Sequence, residues 1–357
     1  MERRDVLKYA AAFVAWSGLR ISLAEAAETD PPGAAPGGEK TGRSLLELGP
    51  APAETRKGNM LYRALGRTGE RISAFGLGGH HIGLVKEEQD SIKLIRSAID
   101  RGITFMDNCW DYHNGKSEIW MGKALRDGYR EKVFLMTKLD GRTKQAAASQ
   151  IDESLKRLQT DHVDLMQIHE NLRMEDADRC FADGGAIEAL EEAKKFGKIR
   201  YIGFTGHKDP IVHNRMLDVA AEHKFHFDSC QMPLNLLDAS FRSFAQHVVP
   251  RLLQEGIAVL GMKPMASGAI VKNKIATPKE CLTYALTLPT SAVITGIDSM
   301  EVLEQDLEIM KDFKPLDGGQ MRDLLAQTMK PARTGNYEKF KTATMYDGTA
   351  LHPEWLG

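Results

Sequence analysis

The sequence alternates eight times between a short apolar run and a segment with helical periodicity. Strands are predicted at 74–77, 103–106, 133–137, 163–168, 199–205, 227–232, 257–261 and 292–295. Helices are predicted at 88–101, 117–127, 143–158, 185–196, 211–223, 241–254, 278–286 and 300–310. Eight strand-then-helix units in about 240 residues predict an α/β fold of the (β/α)8 TIM-barrel type, which we assign to residues 59–315.

An open doubly wound sheet is the alternative arrangement of such units. Its phosphate-binding G-x-G-x-x-G motif is missing after the first predicted strand, which favours the barrel. A β-hairpin over 61–73, turning at Gly66-Arg67-Thr68-Gly69, is predicted before that strand. Residues 316–357 form a C-terminal extension, expected either to fold over the barrel mouth as a lid or to dock on its wall.

The first 58 residues differ in composition from the predicted barrel. A twin-arginine start (Arg3-Arg4-Asp5-Val6-Leu7-Lys8), an apolar stretch and Ala24-Glu25-Ala26 follow the plan of an export signal. We expect residues 1–27 to engage the export machinery and to send the folded chain to the periplasm or another extracytoplasmic compartment. The apolar stretch is short for a bilayer, so no stable membrane insertion is expected; an uncleaved signal acting as an anchor is the alternative. Residues 28–58 hold five of the 14 prolines and are predicted to be a linker.

Charge and cysteine usage limit the classes of partner. Lys and Arg number 47 and Asp and Glu 49, for a net charge of −2, and no long basic tract is present. A nucleic-acid surface is therefore not predicted, and a small molecule is the expected partner. The four cysteines lie at least 50 residues apart without a C-x-x-C pair, so neither a disulfide framework nor a metal site is predicted.

Three adjacent strands of the predicted barrel deliver polar side chains to one rim. Asp107 ends the second strand and is followed by Tyr112, Lys138 ends the third, and His169 ends the fourth. In a (β/α)8 barrel the chemistry lies at the carboxyl ends of the strands. A lysine ammonium beside the phenol would favour the phenolate, and the carboxylate would keep the lysine charged. The imidazole could then polarise a carbonyl oxygen while Tyr112 supplies a proton.

The run from Phe105 to Glu118, Phe-Met-Asp-Asn-Cys-Trp-Asp-Tyr-His-Asn-Gly-Lys-Ser-Glu, resembles the signature of the aldo-keto reductase superfamily. In that family the lysine and the histidine also lie at the ends of the third and fourth strands. The resemblance covers about residues 61–310. It implies that Asp107, Tyr112, Lys138 and His169 are the catalytic tetrad, and that the hairpin is the plug of the barrel floor. It also implies hydride transfer between a nicotinamide dinucleotide, NAD(P)H, and a carbonyl or alcohol substrate.

The same resemblance implies a set of cofactor contacts. They are Gly78, Gly79, Asp107, Thr205, Gln231, Met262, Lys263, Pro264, Ser267, Gly268, Gly296 and Gln305. Of these, Gln231 matches a glutamine that binds the carboxamide, the loop 264–268 matches one that wraps the pyrophosphate, and Lys263 is placed to pair with phosphate.

The chain departs from the family pattern at three places. The frequent Ser-Asn after the fifth strand is replaced by Thr205-Gly206, and Met262 stands where an aromatic residue stacks under the nicotinamide. Acidic residues replace the usual basic clamp on the 2′-phosphate, namely Asp298, Glu301 and Glu304. A 2′-phosphate would meet repulsion there, so the choice between NAD and NADP stays open.

The sequence constrains the substrate and the functional class of the protein less closely than it constrains the fold. Side chains placed to line the mouth form a polar and aromatic mixture that suits a hydroxylated, sugar-like substrate: His80, His81, Trp110, His113, Asn171 and Arg173. An exported enzyme would have to retain its dinucleotide, which favours a transhydrogenating reaction. One alternative is a non-catalytic or redox-sensing barrel that binds a dinucleotide. Another is a metal-dependent hydrolase using His80, His81, His169, Glu170 or His207, although no H-x-H follows the first strand.

Overall fold

The computed structural model describes residues 45–357 of the chain. The predicted signal at 1–27 and most of the predicted linker lie outside these residues. The strands are β1 (Glu54–Lys57), β2 (Met60–Ala64), β3 (Arg71–Ser73), β4 (Phe75–Gly78), β5 (Phe105–Asp107), β6 (Phe134–Leu139), β7 (Val163–Ile168), β8 (Ile199–Thr205), β9 (Ser229–Pro233), β10 (Ala258–Met262) and β11 (Ala292–Thr295).

Fifteen helices are present in the described part of the chain. They are α1 (Gly79–Ile82), α2 (Glu88–Asp100), α3 (Lys116–Ala124), α4 (Lys144–Leu158), α5 (Met174–Phe181), α6 (Ala186–Lys195), α7 (Pro210–Glu222), α8 (Phe244–His247), α9 (Val249–Glu255), α10 (Ala269–Lys272), α11 (Pro278–Thr287), α12 (Met300–Lys311), α13 (Gly318–Ala332), α14 (Lys339–Thr342) and α15 (Gly348–Leu351). The predicted helix over 241–254 is divided into α8 and α9, and Pro250, which has no backbone N–H to donate, lies in the first turn of α9.

Strands β4 to β11 form a closed parallel barrel in chain order, and β11 pairs with β4 to complete it. The predicted (β/α)8 TIM barrel is thereby confirmed. The strands are buried on both faces because their side chains alternate between two layers. Phe134 and Met136 of β6 point into the barrel interior, whereas Leu135 and Leu139 pack under the surrounding helices. This arrangement brings the carboxyl ends of all eight strands to one mouth.

The opposite end of the barrel is covered by the antiparallel sheet β1–β2–β3. Strands β2 and β3 form the predicted hairpin, and β1 lies within the stretch predicted as linker. Arg63 is fully buried and donates to the carbonyl oxygens of Thr290 and Leu286 at 3.0 and 2.9 Å. Gly66 is required at the turn, since its φ is +52° and a Cβ there would lie 2.7 Å from Gly256 O. The hairpin is thus fixed to the barrel floor.

Residues 335–357 lie against the loops that follow strands β6 to β9. Thr349 N donates to Glu170 Oε2 at 2.7 Å, and Lys208 Nζ donates to the Asp347 carboxylate at 2.7 Å. Arg142 N donates to Leu356 O at 2.8 Å. The C-terminal residues therefore contact the mouth of the barrel. Across the described helices, none combines the length and the apolar character that crossing a lipid bilayer requires.

Candidate active site

Lys138 lies at the centre of the predicted tetrad. Its side chain is 1% exposed and forms an ion pair with Asp107 at the end of β5. Its ammonium also donates to Asn108 O at 2.6 Å and lies 3.4 Å from the Tyr112 hydroxyl. Because β5 and β6 are neighbouring parallel strands, their ends hold the carboxylate and the ammonium side by side. Three of the four predicted residues are thus in one contact group.

Tyr112 is the half-buried phenol of this group. Burial raises the pKa of Tyr112 well above its ordinary value of 10.0, and the Asp107 carboxylate raises it further. This differs from the expectation of a lowered pKa, because burial of the phenol and the nearby Asp107 carboxylate both favour the neutral form. The phenol therefore holds its proton at neutral pH. That is the form in which it can donate to a developing alkoxide.

His169 completes the predicted tetrad from the end of β7. Its ring centroid lies 5.9 Å from that of Tyr112 in an edge-on arrangement. Its Nδ1 is turned toward Asp140 Oδ1 at 2.9 Å and Cys109 Sγ at 3.2 Å. Burial lowers the pKa of His169 and raises that of Asp140 to about 7. With Nδ1 engaged on these partners, Nε2 remains as the ring nitrogen available to a substrate.

Arg142 fixes the loops that carry this group. It is fully buried and donates to Asp140 O at 2.8 Å, His169 O at 2.7 Å and Glu170 O at 3.1 Å. Its guanidinium also pairs with Asp176 at 3.3 Å. Asp140 and Arg142 were not among the predicted site residues. Asp140 and Arg142 lie two and four positions after Lys138, so a search of strand ends that continued four residues past Lys138 would have found them.

Buried polar atoms without partners lie where the nicotinamide carboxamide is predicted to bind. Among the described residues, Thr205 Oγ1, Gln231 Oε1 and Asn171 Oδ1 are buried and accept or donate no hydrogen bond. Gln231 Nε2 donates to Asp107 Oδ2 at 3.2 Å, so the predicted carboxamide site is in direct contact with the tetrad. A carboxamide, which has both N–H donors and a carbonyl acceptor, fits such a set. The residues present therefore fit a nicotinamide group.

The predicted pyrophosphate loop follows β10. Met262 and Lys263 are half-buried, Pro264 is buried, and Ser267 and Gly268 are exposed. Lys263 and Ser267 have positive φ values of 53° and 54°, as has Gly268 with 83°. Burial lowers the pKa of Lys263 to about 8, and its ammonium lies 5.6 Å from the Phe340 ring.

The remaining predicted cofactor residues lie at the junction of the first and last barrel strands. Gly78 ends β4, and a Cβ at Gly79 would lie 2.5 Å from Asp107 O, so this turn requires glycine. A Cβ at Gly296 would meet the His81 ring at 2.5 Å, which brings these two predicted residues together. Gln305 is exposed on α12.

The residues predicted to bind substrate differ in the contacts that they make at the barrel mouth. His113 Nε2 lies 2.8 Å from His80 O, and the His80 ring lies 5.5 Å from that of Tyr112. Asn171 bridges two strand ends through Nδ2, which donates to Ile168 O and Thr205 O. The Trp110 indole donates to Glu153 at 2.7 Å, and its ring lies 5.7 Å from that of Trp355 in the C-terminal extension.

Comparison with known proteins agrees with this geometry. Residues 74–283 match the profile of the aldo/keto reductase family. The chain belongs to this family. It is therefore an NAD(P)-dependent oxidoreductase that acts on a small carbonyl or alcohol.

Two curated relatives and one solved structure illustrate the similarity. The chain is 32% identical over 233 residues to the L-galactose dehydrogenase of Arabidopsis thaliana, covering 59% of this chain and 67% of that protein. It is 27% identical over 234 residues to the L-glyceraldehyde 3-phosphate reductase of Escherichia coli, covering 60% and 64%. The fold matches the holo form of an aldo-keto reductase from Bacillus halodurans with a TM-score of 0.62 at 22% identity, covering 76% of this chain and 99% of that one.

Proposed function

We propose that the protein catalyses carbonyl reduction and the reverse alcohol oxidation with Tyr112 as the proton donor and acceptor. The observation that carries this proposal is the position of Lys138, which contacts Asp107 and Asn108 O and lies 3.4 Å from the Tyr112 hydroxyl. As the phenolic proton leaves, the nearby ammonium stabilises the phenolate. Asp107 positions that ammonium, and His169 Nε2 orients the substrate oxygen.

The cofactor would be held by two groups of residues. Thr205 and Gln231 would bind the carboxamide, and the loop from Lys263 to Gly268 would lie along the pyrophosphate. When bound, the nicotinamide supplies or accepts the hydride. The protein's own contribution is to orient the carbonyl, to hold a proton on Tyr112 Oη and to limit the access of water, with the C-terminal residues that contact the mouth contributing to this last role.

Replacement of Tyr112 by Phe tests the assignment. We expect Tyr112→Phe to lower kcat by about 100-fold or more, since the general acid is removed while the ring is kept. Tyr129→Phe is the matched control, because Tyr129 is a phenol bonded to Asp100 at 2.9 Å, away from the mouth. Equal turnover of the two variants would refute the role of Tyr112.

We propose a hydroxylated, sugar-like substrate class. Polar side chains line the mouth, among them His80, His113 and Asn171, and the two relatives described above are named for hydroxylated substrates. Glyceraldehyde and propanal, which differ only in hydroxyl groups, provide the comparison. We expect kcat/KM to be at least about tenfold higher for glyceraldehyde, because polar groups at the mouth are left unpaired by propanal. A preference for propanal would rule out this class.

We also propose that residues 1–27 direct export of the folded chain with its dinucleotide bound. The support is the twin-arginine pattern at Arg3 and Arg4 followed by an apolar stretch. A retained cofactor would favour a transhydrogenating cycle, in which one substrate restores the cofactor form used by the next. Cell fractionation of the chain and of its Arg3→Lys/Arg4→Lys variant, with acid extraction of nucleotide, tests both points. Retention of both chains in the cytoplasm would contradict the proposed export. Purification of the exported chain without nucleotide would contradict export with the dinucleotide bound.

A further inference from the structure

Four side chains of three chemical types, a thiol, two carboxyl groups and an imidazole, come together around Nδ1 of His169. They are those of Cys109, Asp111, Asp140 and His169, which we call the Cys109 cluster. One nitrogen, sulfur or oxygen atom of each residue lies within 4.8 Å of the corresponding atoms of the other three. The chain segment after β5 supplies the first two residues, and the ends of β6 and β7 supply the others.

The three separations measured from His169 Nδ1 in the Cys109 cluster are close to the edges of a small coordination polyhedron. His169 Nδ1 lies 3.2 Å from Cys109 Sγ, 2.9 Å from Asp140 Oδ1 and 3.7 Å from Asp111 Oδ1. In a tetrahedral zinc site with ordinary bond lengths, ligand atoms are separated by roughly 3.3–3.7 Å. Two of the observed separations are shorter than this range and one lies at its upper limit, so a single ion could reach all four ligands once the atoms around His169 Nδ1 move apart by a few tenths of an ångström.

The hydrogen bonds within the Cys109 cluster leave some of its buried oxygen atoms without a donor. His169 Nδ1 carries at most one proton, yet two carboxyl groups and a thiol face it. Among the described residues, Asp111 Oδ1 and Asp140 Oδ2 are buried without a hydrogen-bond donor. Besides His169, the Cys109 thiol faces the Asp111 carboxylate and Lys138 O, the latter at the long distance of 3.8 Å. A cation would satisfy the buried oxygens that the protein's own donors do not reach.

We propose that the Cys109 cluster binds one zinc ion, with His169 as a ligand through Nδ1. Thiolate, imidazole and carboxylate are the ligands that zinc takes in proteins, whereas magnesium and calcium prefer all-oxygen sites. Four protein ligands close the coordination sphere, which assigns a positioning role to the ion rather than a substrate-binding one. Asp111 is 16% exposed and gives the ion an access path.

The ion would also fix the state of the catalytic imidazole. When Nδ1 binds a metal, the remaining ring proton is carried by Nε2. In the proposed function this is the nitrogen that donates to the substrate oxygen, so the zinc would hold His169 in its donor tautomer. The binding of zinc does not depend on that function, because it is measured on the resting protein.

Metal analysis and cobalt spectroscopy test the proposal. The full chain is purified without chelators, and its zinc content is measured by mass spectrometry; about one zinc per chain is expected. After removal of the metal, Co²⁺ is added at one equivalent. Tetrahedral Co²⁺ bound to a thiolate gives visible bands and a near-ultraviolet charge-transfer band. We expect these bands in the wild type, their loss in Cys109→Ser, and at least about tenfold weaker Co²⁺ binding in Asp140→Asn.

Cys281→Ser is the matched control, because Cys281 is also a buried free thiol but lies on α11 outside the cluster. It should keep the cobalt bands and the zinc content. Circular dichroism establishes that each variant is folded; if Cys109→Ser does not fold, the more exposed Asp111→Asn replaces it. Zinc-free wild type together with absent cobalt bands would overturn the proposal, as would thiolate bands that persist in Cys109→Ser or a Co²⁺ affinity that is unchanged in Asp111→Asn. Loss of turnover in Tyr112→Phe leaves the cobalt bands unaffected, so the two proposals fail separately.

Discussion

Thr205 is a single residue whose buried hydroxyl has no hydrogen-bond partner within the described part of the chain. We expect Thr205→Val to raise the free energy of unfolding by about 1 kcal/mol, since an unsatisfied polar atom is removed. The same change should weaken dinucleotide binding by about tenfold if the hydroxyl binds the carboxamide. Thermal unfolding and titration calorimetry measure the two effects. Thr328→Val is the control: its hydroxyl donates to Leu324 O at 3.1 Å, so stability should fall and dinucleotide affinity should not change.

Lys263 makes cofactor affinity depend on pH. Burial lowers the pKa of Lys263 to about 8, so its ammonium is charged below that pH and neutral above it. Because the charged form attracts the pyrophosphate, we expect the dinucleotide Kd to rise by up to about tenfold between pH 7 and 9.5. Lys263→Met should bind weakly at both pH values, whereas Lys272→Met, which changes an exposed lysine on α10, should follow the wild type. Binding that strengthens with rising pH would contradict this assignment.

At the residue scale, the contact of Asp107, Tyr112 and Lys138 was predicted from the sequence. The prediction used the position of functional side chains at the carboxyl ends of barrel strands and the spacing within the run from Phe105 to Glu118. The environment of Nδ1 of His169 was not predicted. Cys109 and Asp140 are 31 positions apart in the sequence, and their approach depends on the pairing of β5 with β6. A raised pKa of Tyr112 also depends on burial, which a strand-end pattern does not report.

At the scale of elements, β11 and α12 are joined by a buried carboxyl group. Thr295 Oγ1 donates to Asp306 at 2.8 Å, and burial raises the pKa of Asp306 from 3.8 to about 6. A raised folded-state pKa means that the free energy of unfolding decreases as pH rises from about 4 to 6, by about 3 kcal/mol for this group. We expect Asp306→Asn to lack this decrease. Urea unfolding at pH 4 and pH 7.5 measures it.

The control for that experiment is Asp312→Asn, which changes an exposed carboxyl just after α12. Its stability should follow the wild type at both pH values. A wild-type-like decrease in Asp306→Asn would show that another group is responsible.

Element boundaries followed the sequence pattern closely in the barrel. β7, β8 and β11 begin and end where the apolar runs do, and α2 and α4 differ by one residue from the predicted helices. Several short helices and the helices of the C-terminal extension were not predicted, and for two unpredicted elements the reason is visible in the sequence. α5 lies in a loop whose charged residues mask its short apolar face, and β1 has four exposed residues, so no alternation marks it as a strand.

For the whole molecule, the preference between NAD and NADP is a question of charge. Asp298 and Glu301 are exposed beside the last barrel strand, and Glu304 pairs with Arg101. We expect NAD to raise the melting temperature more than NADP at equal concentration. A 2′-phosphate would be repelled by these carboxylates, and of two ligands at the same concentration the one that binds more tightly stabilises the folded state more. Thermal shift with each nucleotide measures this. In the double variant Asp298→Lys/Glu301→Lys the order should reverse; an unchanged order would show that other residues select the nucleotide.

Closure of the barrel has a kinetic consequence. The pairing of β11 with β4 joins the first and last barrel strands, so the final seam forms between segments far apart in the chain. Contacts of such long sequence separation slow folding. A nascent chain that lacks β11 would expose two unpaired strand edges, at β4 and β10, and these are surfaces on which chaperones act and aggregates begin.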